Sequence, residues 1–273
     1  MRQMGNFPER RYLEVSGSEL AYKELTGPGP CVLFLHGLYA SADIWDEVAA
    51  HLHGACRVLA VDLPGHGGSA VLDAGPESPF LLSSLREFAQ QAAGDRFVIV
   101  GHSFGGLVGM ALARLNAVPL GGLVLLCTPL CLSDVNPFLR LLTVSGLQLL
   151  SHHVNQAQMV LRGVFEQALG TEGHAWRTAL AQCALATHRG TLLRMVDEML
   201  KVDWRAVAGC VSQLPFPTSV LLATRDRTVN TSRTRHHWMS IDESPALVPA
   251  GHMVPIERPD QVAAAVRSLL ARV

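Results

Sequence analysis

The sequence predicts an α/β protein built on a mostly parallel sheet flanked by helices. Short, unbroken apolar runs recur through the first half of the chain: CVLFLH, RVLAVD, FVIVG and GLVLLC. Stretches with helical apolar spacing separate them. Runs of Val, Leu and Ile without alternation suit strands covered on both faces. A repeating strand–helix order implies parallel strands joined by right-handed crossovers. A third observation is a gap: no strand candidate occurs between Val135 and Gly209, after which strands resume.

The elements follow in order. Arg11–Val15 and Glu19–Leu25 read as a hairpin around Ser16-Gly17-Ser18. Cys31–His36, Arg57–Asp62, Phe97–Gly101 and Gly122–Cys127 are the buried runs, and Thr218–Ala223 and Pro245–Val248 come later. Helical patterns cover Asp43–Leu52, Leu81–Ala93 and Ser103–Leu115. The gap holds four helical stretches: Pro137–Leu150, Asn155–Leu169, Ala175–Ala186 and Thr191–Met199. An all-helical insertion of about 75 residues between two strands reads as a cap or lid. Pro259–Val273 closes the chain as an amphipathic helix, with Val262, Val266, Leu269 and Leu270 on one face and Pro259 in the first turn.

Composition narrows the function. Of the 273 residues, 49% are hydrophobic and 16% charged, enough apolar side chain to offset chain entropy, so disorder is excluded as the main state. The net charge is −1, and the cationic residues are arginine except for Lys23 and Lys201. No basic surplus exists for a nucleic-acid partner. Mean hydropathy is high at +0.24. Yet runs such as Cys31–Leu35 and Leu123–Cys127 fall far short of the roughly 20 apolar residues a membrane span needs. The start, MRQMGNFPERRY, has no apolar signal region, and the six cysteines form no CxxC pair. A reduced, cytoplasmic chain is expected, with Cys127 and Cys131 as the pair to check.

The chemistry centres on Gly101-His102-Ser103-Phe104-Gly105-Gly106, a G-x-S-x-G pattern between an apolar strand and an apolar helix. A serine on such a turn is pushed out at the sheet edge, and only small residues fit where the chain doubles back. The helix start beneath it favours developing negative charge. His36-Gly37-Leu38 follows a strand as well. Its loop can aim the Leu38 N–H at a reacting carbonyl oxygen, with the Phe104 N–H as the second oxyanion donor. The same dipeptide also reads as a plain strand-ending turn.

Asp226 follows Ser219–Ala223, and His252 follows the strand near Val248, so both fall at the edge where ligands of open α/β sheets bind. The order Ser103, Asp226, His252 suits a nucleophile, an orienting acid and a base. Other readings are a turn histidine and a solvated acid paired with Arg225 or Arg227. Asp134 is the reserve acid, and Asp62 and His66 read as loop-shaping residues. His152-His153 and His236-His237 are not read as a metal site: adjacent residues diverge on a helix, and no carboxylate or cysteine completes a set.

With these motifs stated, the sequence resembles the α/β-hydrolase superfamily over nearly its whole length. HGLYASADIW (36–45), DLPGHGGS (62–69), GHSFGG (101–106), TRDRTV (224–229) and GHMVPIERPDQV (251–262) carry the resemblance. It implies an eight-stranded sheet and a helical cap inserted after the sixth strand. The implied division is a core at 1–131 and 210–273 with a cap at 132–209. It implies a Ser103–Asp226–His252 triad with the Leu38 and Phe104 N–H groups as oxyanion hole. Two departures are Ala223 where relatives often carry Gly, and arginines on both sides of Asp226.

Haloalkane dehalogenases and epoxide hydrolases of this fold place Asp at the elbow, where this chain has Ser103. The His-Gly-Gly-Pro-Gly stretch of proline iminopeptidases and the proline-rich loop of ring-cleavage hydrolases are also missing. The expectation is a hydrolase of a small-molecule carboxylic ester, thioester or lactone, with no cofactor and no metal. Apolar cap residues point to a medium-sized apolar substrate, touched by His36, Gly37, Phe138 and Leu142. The rivals are an acyltransferase or lyase using the same pocket, and a ligand-binding member of the fold without activity.

Overall fold

A computed structural model of the chain describes residues 9–71, 80–115, 118–137, 176–188, 190, 191, 195, 197 and 201–273. Eight strands form one sheet: β1 (Arg11–Val15), β2 (Ser18–Leu25), β3 (Cys31–Leu35), β4 (Arg57–Val61), β5 (Phe97–His102), β6 (Leu120–Leu126), β7 (Thr218–Ala223) and β8 (Ala246–Val248). Their spatial order is β1-β2-β4-β3-β5-β6-β7-β8. The β1–β2 and β2–β4 pairs are antiparallel and all other pairs are parallel. The fold class predicted from the sequence is the fold observed.

The described helices are α1 (Asp46–Leu52), α2 (Phe80–Ala92), α3 (Phe104–Arg114), α4 (Arg177–Ala186), α5 (Trp204–Val211), α6 (Thr231–Met239), α7 (Val254–Glu257) and α8 (Pro259–Leu270). Both sheet faces are covered. Leu33, Leu35, Leu59, Ile99 and Leu123 pack on one side with α2, α3 and α5 residues such as Leu85, Phe88, Leu107 and Val207. Val32, Phe34, Val58, Val98 and Val124 pack on the other with α1 and α8 residues such as Val48, Leu52, Val262 and Val266. Successive residues of a strand point to opposite faces, so two greasy layers require unbroken apolar strands.

Three helices were not foreseen. α6 reads TSRTRHHWM, with Thr234 and Trp238 its buried residues. That is too little apolar spacing to register as a helix. Its start is fixed by Asn230, whose side-chain oxygen accepts from the Arg233 N–H. Asp203 caps α5 in the same way, and α7 is a single turn. Among the described residues no helix is long and apolar enough to cross a membrane. The cysteines are free thiols, Cys127 and Cys131 included.

The loop after β4 is organised by Asp62, which is fully buried. One carboxylate oxygen accepts from the Ala42 N–H at 2.6 Å; the other accepts from Gly68 N–H at 2.9 Å and Arg10 Nε at 2.7 Å. Gly67 turns against this carboxylate with φ +53, and a side chain there would collide with it. Asp62→Ala would leave these donors without their acceptor, and orphaned buried groups cost about 1–3 kcal/mol each. Urea unfolding is expected to show a loss of about 3 kcal/mol; a loss under about 1 kcal/mol would contradict this role.

Candidate active site

β5 ends in His102 and α3 begins at Phe104, so Ser103 alone makes the turn. Its backbone sits at φ +52, ψ −115, a region that side chains resist. Two features hold it there. The Ser103 N–H donates to Leu126 O at 2.8 Å. The glycines let the chain fold back on itself: a β-carbon on Gly101 would lie 2.5 Å from Gly105 O and from Gly106 Cα. The Ser103 side chain does not cap α3 and is only half-buried. Its hydroxyl stands at the C-terminal edge of the sheet.

The loop after β3 comes close to this turn. A β-carbon on Gly37 would lie 3.3 Å from Ser103 Cβ and 3.0 Å from His102 Nδ1. Leu38 follows directly. Phe104 opens α3, so its N–H has no acceptor within the helix. His36 anchors the loop from below. Its ring is fully buried: Nδ1–H donates to Gly37 O at 2.7 Å, and Nε2 accepts from the Leu63 N–H at 2.9 Å. With both nitrogens spent on backbone, His36 has no free edge for the substrate contact the sequence suggested. It supports the loop instead.

Asp226 and His252 meet on the other side of the turn. His252 Nδ1 lies 2.8 Å from Asp226 Oδ2, and both side chains are almost fully buried. A carboxylate only accepts, so Nδ1 carries the proton and Nε2 is left with a lone pair. The other Asp226 oxygen accepts from the Thr228 and Val229 N–H groups, each at 2.8 Å. Arg225 does not compete: its side chain reaches away to Pro249 O.

The His252 turn is pinned twice. Glu257 accepts from the Gly251 N–H at 2.9 Å, and His102 Nε2 donates to His252 O at 2.9 Å. The His102 and His252 rings lie 4.8 Å apart between centroids, which sets His252 beside the Ser103 turn. Glu257 and Cys127 were missed by sequence reasoning. Cys127 follows β6 with φ +48, is buried, and its sulfur lies within 4.8 Å of donor atoms of Asp226 and His252; burial keeps its thiol well above the usual range. Its place just past a strand at the ligand-binding edge was the available signal. Asp134, the reserve acid, pairs with His237 at 2.9 Å and not with His252.

An apolar cleft of about 180 Å³, open to solvent, lies beside Phe104. Leu81, Leu107, Met195, Val202 and Trp204 line it with Phe104. Ser103 and His252 are not among its lining residues, so Phe104 is its link to the reactive turn. Phe138 and Leu142 lie outside the described residues.

A model of the alpha/beta hydrolase family matches residues 32–265. The chain belongs to the α/β-hydrolase family. This α/β hydrolase is similar to a haloalkane dehalogenase of Sphingobium indicum, at 26% identity over 97% of this chain and 96% of the relative. It is 42% identical over 100 residues to an esterase of Mycobacterium tuberculosis, a match spanning 36% of this chain and 33% of that one. The enol-lactonase of Burkholderia xenovorans has the same fold, with a TM-score of 0.77 at 20% identity over 96% of this chain and 100% of that chain.

Three buried histidines give the hydrolase a pH signature. Burial, with His66 nearby, holds His36 well below 6.5. Burial lowers His66, and burial with His252 nearby lowers His102 to about 3. In the unfolded chain each titrates near 6.5. Folded values are depressed, so the stability they contribute is complete above about pH 6.5 and is lost as pH falls below it. Each histidine adds a slope of about 1.4 kcal/mol per pH unit there. Urea unfolding at about pH 7.5 and about pH 5.5 should show a clear loss at the lower value; equal stability at both would exclude the neutral, buried state.

Proposed function

We propose that this α/β hydrolase is a serine hydrolase that cleaves a carboxylic ester, thioester or lactone through an acyl-enzyme. The Asp226–His252 hydrogen bond of 2.8 Å, at a turn that holds Ser103 at φ +52, carries the reading. His252 Nε2 takes the Ser103 proton as Oγ bonds to the carbonyl carbon, and the C=O electron pair moves onto oxygen. The Leu38 and Phe104 N–H groups hold that oxyanion; one such donor is worth roughly 3–4 kcal/mol. Collapse breaks the bond to the alcohol or thiol, which leaves with the proton from His252. Water then attacks the acyl-serine by the same route and releases the acid.

Ser103 argues against halide displacement of the dehalogenase kind, since dehalogenases of this fold use Asp at this position. The named activities of the esterase and the enol-lactonase agree with the ester and lactone reading. The segment 132–209 is assigned as a cap over the site, its last residues running into α5, which packs on the sheet, and the core as 1–131 and 210–273. Met195, Val202 and Trp204 of that segment face Phe104 and Leu107 across the apolar cleft, which supports a medium-sized apolar substrate. Phe138 and Leu142, in the same segment, are proposed substrate contacts. The chemistry calls for no cofactor.

A fluorophosphonate probe is expected to label Ser103 in the folded protein, with Ser103→Ala unlabelled. On nitrophenyl esters Asp226→Asn should lower kcat by about 10⁴-fold, because the imidazole loses its tautomer control. Labelling that is unaffected by His252→Ala would remove the triad. Octanoate esters should outrun acetate in kcat/KM, and a preference for acetate alone would remove the apolar substrate. A labelled enzyme that turns over esters only with an added acceptor would be a transferase.

A further inference from the structure

A second cluster of reactive side chains lies at the loop that follows β6. Cys131 and Asp134 come from that loop, and His237 comes from α6, brought over when Trp238 Nε1 donates to Thr128 O at 3.2 Å. One donor atom from each of Cys131, Asp134 and His237 lies within 4.8 Å of the others. The sequence alone offered His237 only an adjacent histidine. Folding supplies the carboxylate and the thiol from more than 100 residues away.

The Asp134 side chain is completely buried, and its two oxygens differ. Oδ2 is satisfied, accepting from the Leu130 N–H at 2.9 Å and the Cys131 N–H at 3.1 Å. Oδ1 is 2.9 Å from His237 Nδ1, yet the contact lacks hydrogen-bond alignment, and both atoms are sealed from solvent with no other partner among the described residues. Buried polar atoms are rarely left this way, and an ion is one of the few species that satisfies two such atoms at once. The Cys127–Asp226–His252 cluster has the same donor types but a different state. There His252 Nδ1 makes an aligned bond to Asp226, so nothing is left to satisfy.

We propose that Cys131, Asp134 and His237 form a binding site for a divalent transition metal, zinc by preference. A thiolate, an imidazole and a carboxylate together suit zinc better than the hard cations, which take oxygen ligands. Binding releases the Cys131 proton: the S–H bond breaks, an S–metal bond forms, and the proton goes to solvent. Cys131 also lines a cleft with Leu130, Leu132, Val135 and Trp204, through which water reaches a fourth position. The site would staple the Asp134 loop to α6. That loop is already tied to the acid-bearing loop: the Asn230 N–H donates to Asp134 O at 2.7 Å, and the Asn136 N–H donates to Thr228 O at 2.8 Å. The metal therefore acts on the stability of the Asp226 loop and takes no part in bond cleavage, so the proposal stands independently of the ester reading.

The test uses tag-free, full-length protein stripped with a chelator and titrated with cobalt(II), then zinc(II). The expected result is one equivalent of cobalt with a thiolate charge-transfer band, displaced by zinc. Zinc in hundredfold excess over its Kd should raise Tm by about 5 °C. Cys131→Ser should abolish the band, His237→Ala should weaken zinc binding by at least about 100-fold, and Cys127→Ser should leave both intact. Wild-type protein that shows no thiolate band and no zinc-dependent Tm shift would overturn the proposal, whatever the variants do. So would a band that survives Cys131→Ser or is lost in Cys127→Ser, the latter placing the ion at the triad. If His237 and Asp134 are only an ion pair, zinc leaves Tm unchanged.

Discussion

The structure depends on one close approach, backbone against backbone, between the end of β5 and the first turn of α3. Gly101 faces Gly105 and Gly106 with no room for a β-carbon. That contact forces Ser103 into a conformation worth roughly 1–3 kcal/mol of strain. The strain persists because what surrounds it is rigid: β5 is central in the sheet, paired with β3 and β6, and α3 is buried along most of its length. A serine elsewhere on α3 would spend its hydroxyl on the helix backbone or on solvent. Here it is lifted out of the helix and makes no capping bond to it.

Around that turn, each loop at the sheet edge has its own buried polar anchor. His36 braces the Gly37–Leu38 loop, Asp62 the loop after β4, and Glu257 with His102 the turn that carries His252. These anchors spend buried polar groups on loop shape, which apolar packing alone does not set. They are costly to bury unpaired, and they are paired mainly with backbone. The division of labour is clear: the two apolar layers hold the sheet, and a handful of sealed polar contacts set where its edge residues stand.

Much of this was legible in the sequence, for physical reasons. Strands buried on both faces announce themselves as unbroken apolar runs, and those runs matched the observed strands to within a residue or two at each end. The elbow was legible because steric necessity leaves glycines at fixed offsets from Ser103. Polar helices such as α6 were not, because a surface helix held by an Asn cap and one buried tryptophan carries little periodic signal. The role of His36 was misjudged, since a histidine after a strand looks the same whether it faces solvent or is sealed beneath a loop. Glu257, Cys127 and the grouping of His237 with Asp134 depend on contacts between distant parts of the chain, and local pattern does not encode them.

The bond from His102 to His252 joins residues 150 positions apart. β7 and β8, which lead to the acid and the base, are the last two strands made and occupy one outer end of the sheet. A ribosome therefore delivers the serine turn, with its strand partners β3 and β6, long before His252 exists. Every chain that stops short of residue 252 holds the Ser103 turn with no imidazole beside it. The contact between the Ser103 turn and the Asp226–His252 pair therefore waits on the closing of the sheet's far edge.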